Sequence, residues 1–338
     1  MRSVASHCLT AQADNNTGWC TEGAKIIEIC QKGDTLLGEE VGKVYKGKKI
    51  SKSIGHPTTV SPSSYVTPYT PLVSDTHEAE TVLKANEVIK IQLGAQIDGF
   101  CTIVCDSIIV GSDETKLDEA AKTREADLML ATYYANELLI RMMIPPGTLN
   151  NGTEEEKKAA SAEKPFSQSK MTQLLEKVAK SYDCNIVEST TCWVFDRNDI
   201  EGKKKIILSP GENQKGEGLP AVGEVWGVEI GVSQGSGKQK NLDKRPTLHM
   251  RTTTKYQLKR PSSRALLSEI VNEHKTFPFS LRQLKDERAG KVGIVECVRT
   301  GVVRQYEVVG DKDDKPVARL FTTVGKLETP ITQISTYN

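Results

Sequence analysis

Apolar and polar positions alternate most clearly between Lys90 and Val110, a stretch rich in β-branched residues. Two such runs flank Asp98-Gly99, a dipeptide that tolerates the positive φ of a tight turn. The pattern predicts a β-hairpin. Side chains alternate faces along a strand, so Gln92 and Gly94 share a face. Across the hairpin, Ile103 and Cys105 fall on that same face. Gln92 and Ile103 are therefore expected as close neighbours, directly opposite or diagonal.

Helical spacing dominates elsewhere. A helix is predicted around Ala24–Cys30, followed by a turn at Lys32-Gly33-Asp34 with an N-cap. Leu36, Leu37, Val41, Val44 and Tyr45 then mark a second helix to about Lys46. Lys116–Met143 reads as a long amphipathic helix stopped by Pro145-Pro146-Gly147. Gly147–Ser169 is polar and is expected as an exposed loop or short solvated helix. Met171, Leu174, Leu175, Val178 and Tyr182 mark the next helix. Lys203–Leu208 and Glu224–Ser233 read as strands, and Gly235–Asn241 as a flexible loop. Leu266, Leu267, Ile270 and Val271 form the apolar face of a further helix, with Ser262 or Ser263 as its N-cap. The succession of hairpins and amphipathic helices predicts a mixed α/β (α+β) domain without parallel βαβ units.

The chain has 338 residues, enough for one large or two ordinary domains. Its formal net charge is +1, so an electrostatic partner must be attracted by local patches. No apolar run is long enough to span a membrane, and Met1–Cys8 lacks the apolar core of a signal peptide. The 8 cysteines form no Cys-x-x-Cys pair, which argues for reduced core thiols and against a structural zinc. Two basic clusters stand out. Lys43, Lys46, Lys48, Lys49 and Lys52 form one, and Lys255, Lys259, Arg260 and Arg264 with Tyr256 form the other. Each is either a solvated rim or a phosphate-binding patch.

Familiar catalytic motifs are absent. Gly235-Ser236-Gly237-Lys238 lacks the glycine at Val232 and the hydroxyl at Gln239 that a phosphate loop requires. There is no Gly-x-Ser-x-Gly elbow. His7, His56, His77, His249 and His274 accompany no evident nucleophile and read as surface or structural residues.

Lys90-Ile91-Gln92-Leu93-Gly94 and Ile97-Asp98-Gly99 resemble the metal-binding hairpin of type II methionine aminopeptidases. Phe277-Pro278-Phe279-Ser280-Leu281-Arg282 and Gly293-Ile294-Val295-Glu296-Cys297 resemble the proliferation-associated, curved-DNA-binding branch of that superfamily, a non-peptidase branch. The likeness runs from about Ile27 to Thr332. It implies a pita-bread fold, with 1–245 and 310–338 forming the main domain around a type II-like helical insertion at 246–309. In aminopeptidases, two aspartates, a histidine and two glutamates hold two divalent ions. The matching positions here are Gln92, Ile103, Trp193, Glu229 and Phe321, so one ligand of five remains. Pro68 matches a substrate-side histidine. An aspartate at position 92 is expected to be a partly buried carboxylate without a partner.

The resemblance implies a catalytically inactive, monomeric scaffold without cofactor. It is expected in nucleus and cytoplasm, bound to curved DNA, ribosomal RNA or the large ribosomal subunit, and acting in ribosome biogenesis, translation or growth control. Many relatives carry a lysine-rich C-terminal tail that does not follow Asn338, so affinity is expected from the folded body. Lys255, Tyr256, Lys259, Arg260 and Arg264 are the expected contacts, with Lys46, Lys48, Lys49 and Lys52 as a second patch. The alternatives are an adaptor that captures peptides or signalling proteins and, more remotely, an active methionine aminopeptidase.

Overall fold

A computed structural model describes residues 18–111, 119–144, 146 and 152–325. Helix α1 (Ile26–Lys43) is followed by strand β1 (Lys52–Pro62), a short helix α2 (Thr76–Ala79) and the hairpin β2 (Val88–Ile97) and β3 (Phe100–Ile109). Helices α3 (Glu119–Met143), α4 (Glu154–Ser161) and α5 (Gln168–Ser181) come next. Strands β4 (Asn185–Ile186), β5 (Thr190–Phe195), β6 (Lys205–Leu208), β7 (Val225–Ser233), β8 (Gln239–Asn241) and β9 (Leu248–Arg251) follow. Helix α6 (Pro261–Glu269) runs into a π-helical turn, Ile270–His274. After it come β10 (Phe279–Ser280), helix α7 (Glu287–Arg299), and β11 (Val303–Gln305), β12 (Val309–Asp311) and β13 (Val317–Gly325).

The frame is one antiparallel sheet of order β1-β2-β3-β13-β7-β5-β6, with β4 also on β7. The hairpin turn has Asp98 at φ 55° and Gly99 at φ 85°, the pair of left-handed residues that a two-residue hairpin needs. One sheet face is covered by helices. Leu128, Ala135 and Leu139 of α3 and Met171 and Leu175 of α5 bury against Val194, Trp226, Val228 and Ile230. Leu37 and Val41 of α1 bury against Leu93, Ala95 and Val104. The opposite face carries Gln92, Cys105, Phe321 and Glu229, and residues from 246–309 reach over it.

Several expectations are corrected. The predicted break at Lys32-Gly33-Asp34 does not occur, and α1 runs unbroken through it. Asp34 pairs instead with Arg282, Nη1 to Oδ2 2.8 Å, and accepts from the Thr58 N–H at 2.7 Å. That tertiary tie overrides the local turn signal. The stretch 246–309 is not helical alone: β9, β10 and β11 form a three-stranded sheet beside α6 and α7. Neither Ser262 nor Ser263 caps α6. Arg260 is its N-cap and Pro261 its first residue, because Pro is pre-set for that position. Part of the predicted 235–241 loop is a strand, with Gln239–Asn241 paired to Val309–Asp311. The start of the helix predicted from Lys116 lies outside the described residues, as does the stop at Pro145.

Candidate functional site: a buried arginine among the expected ligand positions

Three lateral rows of side chains cross the front of the sheet. The central row is Gln92 (β2), Cys105 (β3), Phe321 (β13) and Glu229 (β7), each opposite the next. A row on one side places Lys90 opposite Ser107, and Arg319 opposite Gly231. On the other side Gly94 faces Ile103, and Thr323 faces Gly227, which faces Trp193. Gln92 and Ile103 are thus diagonal neighbours. The five expected ligand positions lie on one sheet face, in two adjacent rows.

What fills the pocket is partly apolar. Ile103, Cys105, Phe195, Phe277 and Phe321 form one buried cluster, against which Trp193, Val225 and Met250 pack. The Phe195 and Phe321 rings lie 6.2 Å apart over Gly227. A Cβ on Gly227 would come within 2.5 Å of the Phe195 ring and 2.7 Å of Phe321 Cζ, so this strand glycine makes room for the aromatic pair.

The rest of the pocket holds a guanidinium. Arg319 Nη2 donates to Gln92 Oε1 at 2.7 Å, and Nη1 donates to the Val66 carbonyl at 3.1 Å. Nη1 also lies 3.3 Å from Glu229 Oε1, and the Arg319 side chain is only 4% exposed. Gln92 Nε2 lies 3.0 Å from His56 Nε2, and His56 Nδ1 lies 2.7 Å from the Pro57 carbonyl. The carbonyl can only accept, so Nδ1 carries the proton and Nε2 accepts from the Gln92 amide. One directed chain results: Arg319 to Gln92, Gln92 to His56, His56 to Pro57. Two register shifts in β1 flank His56 and turn its ring onto Gln92.

The electrostatics follow from burial. Desolvation holds His56 down at about 4, and the Arg319 charge adds to that effect. Burial pushes the Glu229 carboxyl up, while Arg319 opposes the shift. Lys90 is fully buried, and its Nζ donates to the Pro62 and Ser63 carbonyls at 3.1 and 2.5 Å. Burial, then repulsion from Arg319, depresses its pKa well below the usual lysine range. The expectation that an aspartate at position 92 would be unpartnered is therefore corrected: Arg319 already stands there.

A pair of divalent ions does not fit these residues. Glu229 is the single carboxylate in the rows, its charge is answered by Arg319, and Gln92 turns its only acceptor to the same guanidinium. Among the described residues, no group of three His, Cys, Asp or Glu side chains converges as metal ligands.

No family model matches the chain. A curved DNA-binding protein of Schizosaccharomyces pombe is 36% identical over 309 residues, which cover 90% of this chain and 74% of that protein. The chain belongs to that curved-DNA-binding, methionine aminopeptidase-like family. It is also similar to a solved thermophilic Arx1, with 58% identity, a TM-score of 0.89, and coverage of 96% of this chain and 85% of that one. A methionine aminopeptidase from Thermotoga maritima superposes with a TM-score of 0.54 at 14% identity, over 97% of this chain and 90% of that one, and shows the shared pita-bread fold.

On this family frame, the second cluster of expected site residues lies away from the pocket. Lys255, Tyr256, Lys259, Arg260 and Arg264 are all exposed, at the approach to α6 and on its first turn. Arg264 Nη1 folds back on the Leu258 and Lys259 carbonyls at 3.2 and 2.7 Å. Glu296 of α7 accepts from the Lys259 and Arg260 N–H groups at 2.8 and 3.0 Å, so those two donors are not free for phosphate. Lys46, Lys48 and Lys49 are exposed after α1. Lys52 is not part of that patch, because its ammonium caps the Gly42 and Val44 carbonyls at 2.9 and 2.6 Å.

Arg319, Lys90 and His56 escaped the reading of the sequence. Strand parity carried the signal: Arg319 is two residues from Phe321, and Lys90 is two from Gln92, each on the same face as its partner. Arg299, exposed on the last turn of α7, is a further basic residue of the insertion that the reading of the sequence did not single out.

Proposed function

We propose that this chain is a peptidase-silent aminopeptidase-like scaffold. It binds structured nucleic acid, curved DNA or ribosomal RNA, and the large ribosomal subunit, in the nucleus and cytoplasm. The observation that carries the silent half is the Arg319 guanidinium held between Gln92 and Glu229. A fixed monovalent cation can neutralise the retained carboxylate, but it cannot ionise a water or polarise a peptide carbonyl as two divalent ions do.

The binding half rests on Lys255, Lys259 and Arg260, which are exposed and enter no ion pair among the described residues. Tyr256 beside them is 48% exposed and can stack on a ribose or an unpaired base. The name of the curved DNA-binding relative supports the same chemistry.

The test changes Lys255, Lys259, Arg260 and Arg264 together to glutamate. Most binding to ribosomal RNA or duplex DNA should disappear. The slope of log affinity against log salt should flatten by roughly 0.7 to 0.9 per lost phosphate contact. Glutamates at Lys46, Lys48 and Lys49 are the control and should cost less. If the insertion variant still sediments with large ribosomal subunits at all salt concentrations, the insertion is not the binding face.

A further inference from the structure

The helical face of the sheet carries an outward surface that neither the relict pocket nor the insertion explains. On α3, Leu130, Tyr133 and Tyr134 are 43%, 46% and 49% exposed. The two tyrosine rings meet edge to face at 5.4 Å. Tyr134 also stacks on Tyr182, just past α5, with centroids 6.3 Å apart and planes 14° apart. Arg124 fixes this third tyrosine by donating to the Tyr182 and Asp183 carbonyls, each at 3.2 Å. Ordered rings left in water cost solvation and side-chain entropy, and a core has no use for them.

Helix α5 lies alongside and buries Met171, Leu175 and Ala179. Its opposite face exposes Lys170, Gln173, Lys177 and Lys180 at helical spacing, a stripe about 15 Å long at the usual rise per residue. None of the three lysines forms an ion pair among the described residues. The Lys170 ammonium donates to the Gln173 amide oxygen, at 3.3 Å. Of the neighbouring carboxylates, Glu137 pairs with Arg141 at 2.6 Å and the exposed Asp183 lies 3.8 Å from Arg124, while Asp127, one turn before Leu130 on α3, is half-buried and close to Cys184. Glu176, half-buried on α5, is the acid that interrupts the stripe.

We propose that this α3–α5 face is a second docking surface, for single-stranded nucleic acid. Tyr133 and Tyr134 stack successive bases, Tyr182 backs the platform, and Lys170, Lys177 and Lys180 follow the phosphates. Charge complementarity selects this occupant. Three unpaired cations of one sign beside amphipathic rings match a polyanion with flat apolar bases, and duplexes hide those bases. An apolar protein partner would need a continuous apolar patch, which Leu130 alone does not provide. The proposal shares with the function proposed above the premise of a nucleic-acid partner, but it uses different residues.

The experiment measures fluorescence anisotropy of a labelled oligouridylate of about 12 nucleotides, within the usual site sizes. A duplex RNA of the same length runs in parallel. The full chain is compared with Y133A/Y134A, Y133L/Y134L, K170E/K177E/K180E and the insertion variant. Y133A/Y134A should weaken single-strand binding by at least about thirty-fold and leave duplex binding unchanged. The lysine variant should flatten the single-strand salt slope by up to about 2. Wild-type affinity of either variant for the single strand overturns the proposal. So does full rescue by leucine, which would mark the face as apolar and protein-directed. Failure of the insertion reading appears separately, as unchanged duplex binding by the insertion variant.

Discussion

Replacing Arg319 with methionine tests the guanidinium most sharply, because methionine keeps much of the apolar stem and removes the charge. The side chain is 4% exposed, so its interactions are not discounted by solvent. The change deletes charge-assisted bonds to Gln92 Oε1 and the Val66 carbonyl, at 2.7 and 3.1 Å. Such bonds contribute about 1.5–3 kcal/mol each. It also strands Glu229, whose side chain is 23% exposed. Removing one partner of a buried pair typically costs about 3–5 kcal/mol, and R319M should fall in that range at neutral pH. Without Arg319, the Glu229 pKa rises further above its unfolded value of about 4.3. A group with a raised folded pKa contributes its stability below the unfolded pKa and loses it as pH rises through the folded one. R319M should therefore recover part of its deficit as pH falls from about 7 toward about 4. In the double variant R319M/E229Q both charges are gone, and at least about 1 kcal/mol should return, since a matched neutral pair replaces a buried ion pair at little cost. Urea unfolding followed by tryptophan fluorescence gives all three values. A loss under about 1 kcal/mol for R319M, with no pH dependence and no coupling to E229Q, would refute the reasoning.

Three further outcomes follow from the same geometry. Gln92→Glu keeps the acceptor for Arg319 but replaces the donor facing His56 Nε2 with a carboxylate. The His56 pKa should then rise from about 4 by at least about one unit, read by NMR titration of the ring. His249 is 2% exposed, and burial lowers its pKa from 6.5 to about 4. Its contribution is present above the unfolded pKa and lost as pH falls through that window. His249→Gln should reduce proton uptake on unfolding near pH 5 by about one, measured from the slope of stability against pH. Gly227→Val drives a side chain into Phe195 and Phe321 and should cost at least about 1–3 kcal/mol, whereas Gly42→Ala, exposed and with no atom within 4 Å of the added Cβ, serves as the surface comparison.

The hairpin, its Asp98-Gly99 turn and the closeness of Gln92 and Ile103 were legible because period-2 alternation assigns faces without tertiary knowledge. Trp193, Glu229 and Phe321, and with them the apolar filling, came from the family resemblance, since no local pattern links strands so far apart in the chain. Arg319 was not, because a charged residue in a strand normally faces water, and its partners Val66 and Gln92 lie more than two hundred positions away. The unbroken α1 was hidden likewise. Gly33-Asp34 carries a local turn signal, and what overrides it is Arg282, 248 residues away. The lysines near α1 looked alike in sequence, but distance to the helix end separates Lys52, which caps carbonyls, from Lys46, Lys48 and Lys49, which face solvent. Charges used inside the fold and charges offered to a partner have the same letters and differ only in what surrounds them.

The central claim, that a side-chain cation stands where peptidases hold metal, is tested most directly by titrating the purified full chain with cobalt or manganese. Calorimetry and release of methionine from a short peptide should be read on the same sample. The account predicts no stoichiometric two-metal binding and no methionine release above background. Binding of two ions per chain, with turnover that vanishes on Glu229→Ala, would contradict it.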